Sequence, residues 1–375
     1  MGRLNVLLLH SVLVDRGAER VILWLATGLN KDKYKVSVCI LREDAPIVEK
    51  FREQGVETAV LGMKRRFGFC ALWKLYNILK EKRIDILHIH GIRAAIYGRP
   101  IARIAGVPVI LYSVHNKWGG KLHFLLDRLT APFGDGIFPF SNAVRSFLID
   151  EEGIPEKYVK QTVHIGIDID RFVTQDESLT LETRNGLGIP EDAPVIGSVG
   201  ALTVQKGNRY LIEAMSEMLK EFPELRYIAV GDGELRKELE DLSQNVGVDR
   251  NVIFLGARDD IPLLLNMFDV FVLPSLWEGL SQALIEAMAV AKPAVATNVD
   301  GTLEAVEDGV SGVLVPPGNP AALAKAIVGL LRDPQKMVKI GRAGRERVER
   351  YFSVRTMVNN FESLYDQTAN DHYGI

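Results

Sequence analysis

The chain has 375 residues, 47% of them hydrophobic and 25% charged, with 45 Lys and Arg against 48 Asp and Glu for a net charge of -3. That length exceeds one ordinary core and suits roughly two domains, and the charge excludes a generalised nucleic-acid-binding surface, leaving room only for a local basic patch. Two cysteines, Cys39 and Cys70, build no disulfide framework, no apolar run approaches the ~18 residues that span a bilayer, and "MGRLNVLLLHSV" is interrupted by His10 too soon for a signal peptide, so a cytoplasmic protein is expected.

Short apolar runs alternate with longer amphipathic segments. In the first half "NVLLLH", "YKVSVCIL", "IDILHIH" and "VPVILYSVH" read as buried strands, and "GAERVILWLATGLN" and "RAAIYGRPIARIAG" as helices between them. Gly17 opens the first helix, where it permits close approach of a ligand to the backbone or simply punctuates the chain. No G-x-G-x-x-G follows the first strand, which argues against a dinucleotide-dependent dehydrogenase. The stretch Lys64 to Arg83, "KRRFGFCALWKLYNILKEKR", combines basic ends with Phe67, Phe69, Leu72, Trp73, Tyr76 and Leu79. Such a helix either lies against an anionic membrane surface or turns an apolar stripe toward the sheet.

His88 and His90 lie two apart on one strand and share a face, a spacing that metal ligands use, but no further His or Cys lies close in sequence, so packing or polar lining is the better reading. His115 ends "VPVILYSVH" and is expected to project from a strand's carboxyl end into a cleft. From Asp168 to Pro190 polarity rises and the strand rhythm breaks, which marks a linker; "DID", Asp168 to Asp170, is read as a structural turn in it.

The second half repeats the rhythm with "PVIGSVG", "RYIAVG", "NVIFLG", "DVFVLP" and "PAVATN". Alternation of this kind argues for parallel sheets covered on both faces, and two such halves for an inter-domain ligand cleft. After the first of these strands Lys206 and Gly207 stand at a helix start, either a solvated helix end or a cradle for an anion. Gly231, Asp232 and Gly233 form a second tight strand-to-helix turn, either simple turn chemistry or part of a pocket. The segment Leu280 to Val290 is apolar or small on almost every side, yet carries Glu286 in its middle, with Glu278 just before it. A helix hydrophobic all round is buried, and a buried carboxylate without partners is costly. Glu286 therefore demands a hydrogen-bonding partner, from a ligand or from a buried cation.

These segments together resemble the retaining glycosyltransferases of family 4, the group 1 family with the GT-B architecture. The resemblance covers nearly the whole chain. It is strongest from Pro274 to Glu304, where "PSLWEGLSQALIEAMAVAKPAVATNVDGTLEAV" resembles the family's paired-glutamate signature, with seven residues between Glu278 and Glu286. "RGAER", "HIGIDIDRF", "VGALTVQKG" and "VGDGELR" match weaker signatures in the family's order. The fold class implied is α/β, two facing doubly wound Rossmann-like domains of GT-B type with an inter-domain cleft. The division expected is 1–168 for an acceptor-side domain and 169–354 for a nucleotide-sugar-binding domain, with a C-terminal helix at about 355–370 packing back on the first.

By the same resemblance Glu286 accepts hydrogen bonds from the ribose of a nucleotide sugar and Glu278 from hydroxyls of the transferred sugar. The N–H groups of Gly279, Leu280 and Ser281 approach sugar or phosphate oxygens. Lys206 neutralises the diphosphate, Gly17 lets the first helix approach it, and His115 contacts the donor sugar. Gly256 to Arg258 form part of the base pocket. Catalytic roles thus fall to His115, Lys206 and Glu278, and donor binding to Gly17, Gly256, Arg258, Gly279, Leu280, Ser281 and Glu286. No cofactor and no metal are implied, since the nucleotide sugar is a substrate. The chain departs from the family at Ala201, where arginine is usual, at Ala291 and Asp300, where glycine is usual, and at Ile165, where asparagine is common.

The activity implied is retaining transfer of a sugar from a nucleotide sugar, UDP-linked, to a hydroxyl of a glycan or lipid-linked acceptor in cell-surface polysaccharide or glycolipid synthesis. Peripheral contact with the cytoplasmic membrane face is expected with it. The alternatives are a nucleotide-sugar epimerase or glycan phosphorylase on the same architecture, and a non-catalytic nucleotide-sugar-binding subunit.

Overall fold

Runs rich in Val, Ile and Leu become parallel strands, and the amphipathic segments between them become the helices that cover both faces. The computed structural model describes residues 3–11, 16–42, 46–63, 68–115, 117, 119–173 and 177–374. Met1–Gly166 and Val354–Ile375 form one unit, and Ile167–Ser353 a second.

The first unit runs β1 (Leu4–His10), α1 (Arg16–Gly28), β2 (Tyr34–Ile40), α2 (Pro46–Glu53), β3 (Glu57–Val60) and α3 (Phe69–Glu81) in one direction across its sheet. It then returns to the centre with β4 (Ile86–His90), α4 (Ile92–Ala105), β5 (Val109–Val114), α5 (Lys121–Thr130), β6 (Gly136–Pro139) and α6 (Asn142–Ser146). Among the described residues the sheet has six strands in the order β3-β2-β1-β4-β5-β6, all parallel. The strand order reverses between β1 and β4, the place where doubly wound sheets leave a crevice for ligands. Leu7, Leu9, Leu87, Ile89 and Ile110 fill the core against Leu75, Leu79 and Ala102.

The second unit begins with α7 (Glu177–Gly186), then β7 (Val195–Val199), α8 (Asn208–Met218), β8 (Arg226–Val230), α9 (Arg236–Asn245) and β9 (Val252–Gly256). It continues through α10 (Ile261–Met267), β10 (Val270–Leu273), α11 (Gln282–Ala289), β11 (Ala294–Thr297), α12 (Thr302–Ala305), β12 (Val313–Val315), α13 (Pro320–Leu331) and α14 (Pro334–Tyr351). Its described strands are ordered β12-β11-β10-β7-β8-β9, again parallel, with the reversal between β7 and β10.

Part of the segment expected as a linker is a helix, α7. Its polarity is that of a helix with most of its surface in water, and Arg184 at its end donates to the carbonyls of Pro190 and Glu191. Asp168–Asp170 falls in a 3₁₀ turn, closed by Arg171 N–H to Asp168 O at 3.2 Å. The last helix, α15 (Val354–Tyr373), belongs to the first unit. Its Asp366 takes an ion pair from Lys33 at 2.8 Å, and its buried Tyr365 hydrogen-bonds His88. No helix of the described residues is long and apolar enough to cross a membrane.

Candidate functional site

In the second unit Lys206 and Glu278 lie just beyond the carboxyl ends of β7 and β10, the two strands that flank the reversal, while Gly256 and Arg258 lie at the end of β9. The chain leaves β7, makes a 3₁₀ turn at Val204–Lys206 and enters α8 through Gly207, whose φ is +62°. A Cβ at Gly207 would lie 2.1 Å from Pro274 O, so glycine alone lets this turn press against the end of β10. Leu276 N–H donates to Gln205 O at 2.8 Å and Gln205 Nε2 to Trp277 O at 3.0 Å, which locks the two loops together.

That contact sets Lys206 against Glu278. Lys206 Nζ lies 2.6 Å from Glu278 Oε1, and Ser275 Oγ donates to the same oxygen at 2.6 Å. Glu278 is buried and Lys206 partly open to solvent. A buried carboxylate held by an ammonium and a hydroxyl is compensated. Ser281 caps α11, its Oγ accepting from Leu284 N–H at 3.4 Å, and Gly279 and Leu280 lead into that cap. Glu286 lies on α11 and is 5% exposed, in a helix whose Leu284, Ile285, Ala287 and Met288 are all fully buried.

A third strand end joins this group. After β11, Gly301 N–H reaches Glu278 O and Asp300 Oδ2 accepts from Glu278 N–H, each at 3.4 Å. Buried Thr297 donates from Oγ1 to Ser275 O at 2.5 Å. Sequence reading passed over Ser275 and Thr297, although a hydroxyl closing an apolar strand run is the signal that finds such loop ties. Gly256 ends β9 with φ +71°, and its carbonyl accepts from Gly231 N–H at 2.8 Å. Arg258 beyond it forms an ion pair with Asp260 at 2.5 Å, and the guanidinium holds that carboxyl below the usual range.

In the first unit Gly17 lies in the first turn of α1. His115 follows β5, with its ring 4.4 Å from that of Phe140 and its Nε2 3.0 Å from His90 Nδ1. His88 bonds Tyr365 Oη through Nδ1 at 2.6 Å and Ser113 Oγ through Nε2 at 2.8 Å. Both nitrogens of His88 are thus engaged in packing the strand. His90 is the register partner of His10 across β4 and β1, at the reversal of the sheet. Burial pushes His88 and His115 down to about 3 and His90 well below the ordinary imidazole value, so these rings are neutral near pH 7. Among the described residues no group of three His, Cys, Asp or Glu has the arrangement of a metal site.

Two family descriptions match the chain: "Glycosyltransferase Family 4" over residues 16–171 and "Glycosyl transferases group 1" over residues 180–347. Among curated relatives, the UDP-Gal:alpha-D-GlcNAc-diphosphoundecaprenol alpha-1,3-galactosyltransferase of Escherichia coli is 27% identical over 371 residues, 94% of this chain and 95% of its own length. The 2-deoxystreptamine glucosyltransferase of Streptomyces kanamyceticus is 25% identical over 375 residues, with the same two coverages. Among solved structures, Anabaena Alr3699/HepE in complex with UDP superposes with a TM-score of 0.87 at 24% identity, covering 97% of this chain and 100% of that one. A glycosyltransferase from Rickettsia africae ESF-5 gives the same TM-score at 21% identity, covering 98% and 99%. The paired strand-end loops, the two doubly wound sheets and these matches agree: the chain belongs to glycosyltransferase family 4, the group 1 glycosyltransferases, and has the GT-B fold.

Proposed function

We propose that this glycosyltransferase moves a hexose from a UDP-sugar to a hydroxyl of a glycan or lipid-linked saccharide, with retention of configuration and without a metal. The observation that carries the proposal is the Lys206–Glu278 pair at the reversal of the second sheet. A lysine beside a helix start suits a diphosphate, and an acceptor-only carboxylate suits sugar hydroxyls. The E. coli relative is named for UDP-Gal and a diphosphoundecaprenol-linked acceptor, which supports both the donor and the acceptor class.

In this reading Lys206 stabilises negative charge on the departing UDP, and Glu278 and the N–H groups of Gly279 to Ser281 orient the hexose. Glu286 takes the ribose hydroxyls, Gly256 and Arg258 border the base, Gly17 allows close approach to the diphosphate, and neutral His115 hydrogen-bonds the sugar. The acceptor oxygen bonds to the anomeric carbon as the bond from that carbon to the phosphate oxygen breaks. The acceptor's proton passes to the departing phosphate, so no protein nucleophile is needed. Product analysis by mass and proton NMR after incubation with UDP-glucose or UDP-galactose and candidate acceptors in excess EDTA tests all three parts. Inverted linkage, or activity restored only by manganese, contradicts them.

Peripheral contact with the cytoplasmic membrane face belongs to the same proposal. Lys64, Arg65, Arg66 and Phe67 lie outside the described residues. On α3, Leu75 and Leu79 are buried while Phe69 and Trp73 are 85% and 65% exposed, so the helix spends one stripe on the core and presents a second, aromatic one to its surroundings. Aromatic side chains beside lysines suit an anionic lipid headgroup layer. Co-sedimentation with anionic vesicles at low salt, lost in Phe69→Ser/Trp73→Ser, supports it; no sedimentation at low salt refutes it.

A further inference from the structure

In the parallel register of β4 and β5, His88 pairs with Leu111 and His90 with Ser113. Each histidine then reaches diagonally, to the residue two beyond its partner on the same face. His88 Nε2 lies 2.8 Å from Ser113 Oγ, and His90 Nδ1 lies 3.0 Å from His115 Nε2. The first contact completes a ring whose other nitrogen is held by Tyr365. The second leaves a nitrogen over on each ring.

His90 is fully buried, with the rings of His88 and His115 centred 4.2 and 5.3 Å from its own. Its Nε2 is buried and has no hydrogen-bond partner among the described residues. His115 is partly buried just past the carboxyl end of β5, and its ring leans on Phe140. With Nε2 taken by His90, Nδ1 is the nitrogen of His115 left for a ligand.

Both rings are neutral near pH 7, so each has one N–H and one bare nitrogen. The 3.0 Å contact holds one of those protons. Were it carried by His115 Nε2, the proton of His90 would sit on Nε2, a buried N–H with no acceptor. Were it carried by His90 Nδ1, Nε2 would be a bare lone pair. An orphaned buried N–H is rarer in folded proteins than an under-used acceptor, as the main chain shows. The titratable neighbours of His90 are His88, His115 and His10, all imidazoles, and none supplies a carboxylate to hold a proton on Nε2. The second arrangement is therefore favoured, and it fixes His115 in turn: with Nε2 accepting, its proton lies on Nδ1.

We propose that His90 is a positioning residue for donor binding: by donating Nδ1–H to His115 Nε2 it holds the His115 ring and makes His115 Nδ1–H a hydrogen-bond donor to the sugar. The inference rests on the contact between His115 and the donor sugar proposed above. A sugar hydroxyl oxygen accepts from that N–H and keeps its own proton for another acceptor. A ring oriented before the ligand arrives has less freedom to lose on binding.

Long-range proton–nitrogen NMR of the histidine-labelled wild type at pH 7 reads the tautomers without ligand, with His90→Asn and His115→Asn assigning the signals. A protonated Nδ1 and a bare Nε2 are expected on both rings, and a proton on Nε2 of either ring overturns the proposal. Calorimetric titration of UDP, UDP-glucose and UDP-galactose reads the role. His115→Ala should weaken the UDP-sugar about tenfold, as loss of one hydrogen bond does, with UDP affinity unchanged. His90→Phe, which fills the space without an N–H, should lose about as much, and nothing further in the His115→Ala background. His90→Asn, whose amide can donate from near the place of Nδ1, should keep most of the affinity. Equal losses from His90→Phe with and without His115, or an equal loss of UDP affinity, would show that His90 only packs the core. A UDP-sugar bound as tightly by His90→Phe as by the wild type overturns this proposal alone. A wild type that binds neither UDP nor a UDP-sugar overturns the donor reading and this proposal with it. The NMR result stands even if His90→Phe does not fold.

Discussion

Lys206 and Glu278 stand 72 residues apart in sequence and 2.6 Å apart in space, on loops that leave the two strands where the second sheet reverses direction. Each depends on the other, and Ser275 shares the load on the Glu278 oxygen. Lys206→Met is expected to destabilise the protein by about 2 kcal/mol, less than the roughly 3–5 of a broken buried pair because the ammonium is partly solvated. Transfer should fall by about 10²–10³ if the ammonium stabilises the leaving group. Urea unfolding of Lys206→Met, Glu278→Gln and the double variant measures the coupling. The double variant should be less destabilised than the sum of the singles by about 1–3 kcal/mol. Additive effects would show that the pair is not a unit.

The imidazoles of buried His88 and His90 and of partly buried His115 make stability fall with acid. Their folded pKa values lie below the unfolded value of about 6.5, with His88 and His115 at about 3. The unfolded chain therefore binds more protons in that window, and their contribution is complete above about pH 6.5 and lost as pH falls toward 3, at up to about 1.4 kcal/mol per pH unit for each ring. Urea midpoints between pH 7 and 5 should decline, and His88→Gln, which cannot take up a proton, should show a shallower decline than the wild type. A flat wild-type profile contradicts neutral burial.

An opposite limb comes from Glu152. This carboxyl is buried beside Asp127, which itself holds the guanidinium of buried Arg99 at 2.7 Å. Burial first, then Asp127, push Glu152 up to about 9. Its folded pKa exceeds the unfolded one, so its contribution is complete below about pH 4.3 and lost as pH rises toward 9. Glu152→Gln, neutral at every pH, should flatten the loss of stability between pH 7 and 9. An alkaline limb unchanged in that variant would place its origin elsewhere.

Ala291 ends α11 with φ +55°, a conformation that costs an L-residue about 1–2 kcal/mol. Glycine removes that cost but adds unfolded-state entropy worth roughly 0.5–1 kcal/mol. Ala291→Gly is therefore expected to stabilise by about 0.5–1 kcal/mol, read as a higher urea midpoint. A lower midpoint would mean that the methyl group packs usefully.

Much of the fold was legible in the chain because the central strands are long, apolar runs. The strands that sequence reading passed over, β3, β6 and β12, have four, four and three residues and all lie at sheet edges. Runs this short carry little periodic signal, and Glu57–Val60 is also only partly buried. Polarity misled in the other direction at α7, where a mostly exposed helix looked like a linker. In the site, the paired glutamates announced themselves as acids in an apolar helix and its approach. The ties that position them did not, since Ser275, Thr297 and Asp300 meet Glu278 only once β10 and β11 lie side by side.

The most direct measurement of the donor-site assignment is calorimetric titration of UDP into the wild type and Glu286→Ala, with thermal melting of both. Glu286 sits 5% exposed beside fully buried Leu284, Ile285, Ala287 and Met288, and ribose hydroxyls are its proposed partners. The assignment predicts that UDP binds the wild type, that Glu286→Ala loses about tenfold or more in affinity, and that Glu286→Gln loses less. It also predicts that the melting temperature of Glu286→Ala stays within a few degrees of wild type. Unchanged UDP affinity with a collapsed melting temperature would contradict it and make Glu286 one half of a buried ion pair.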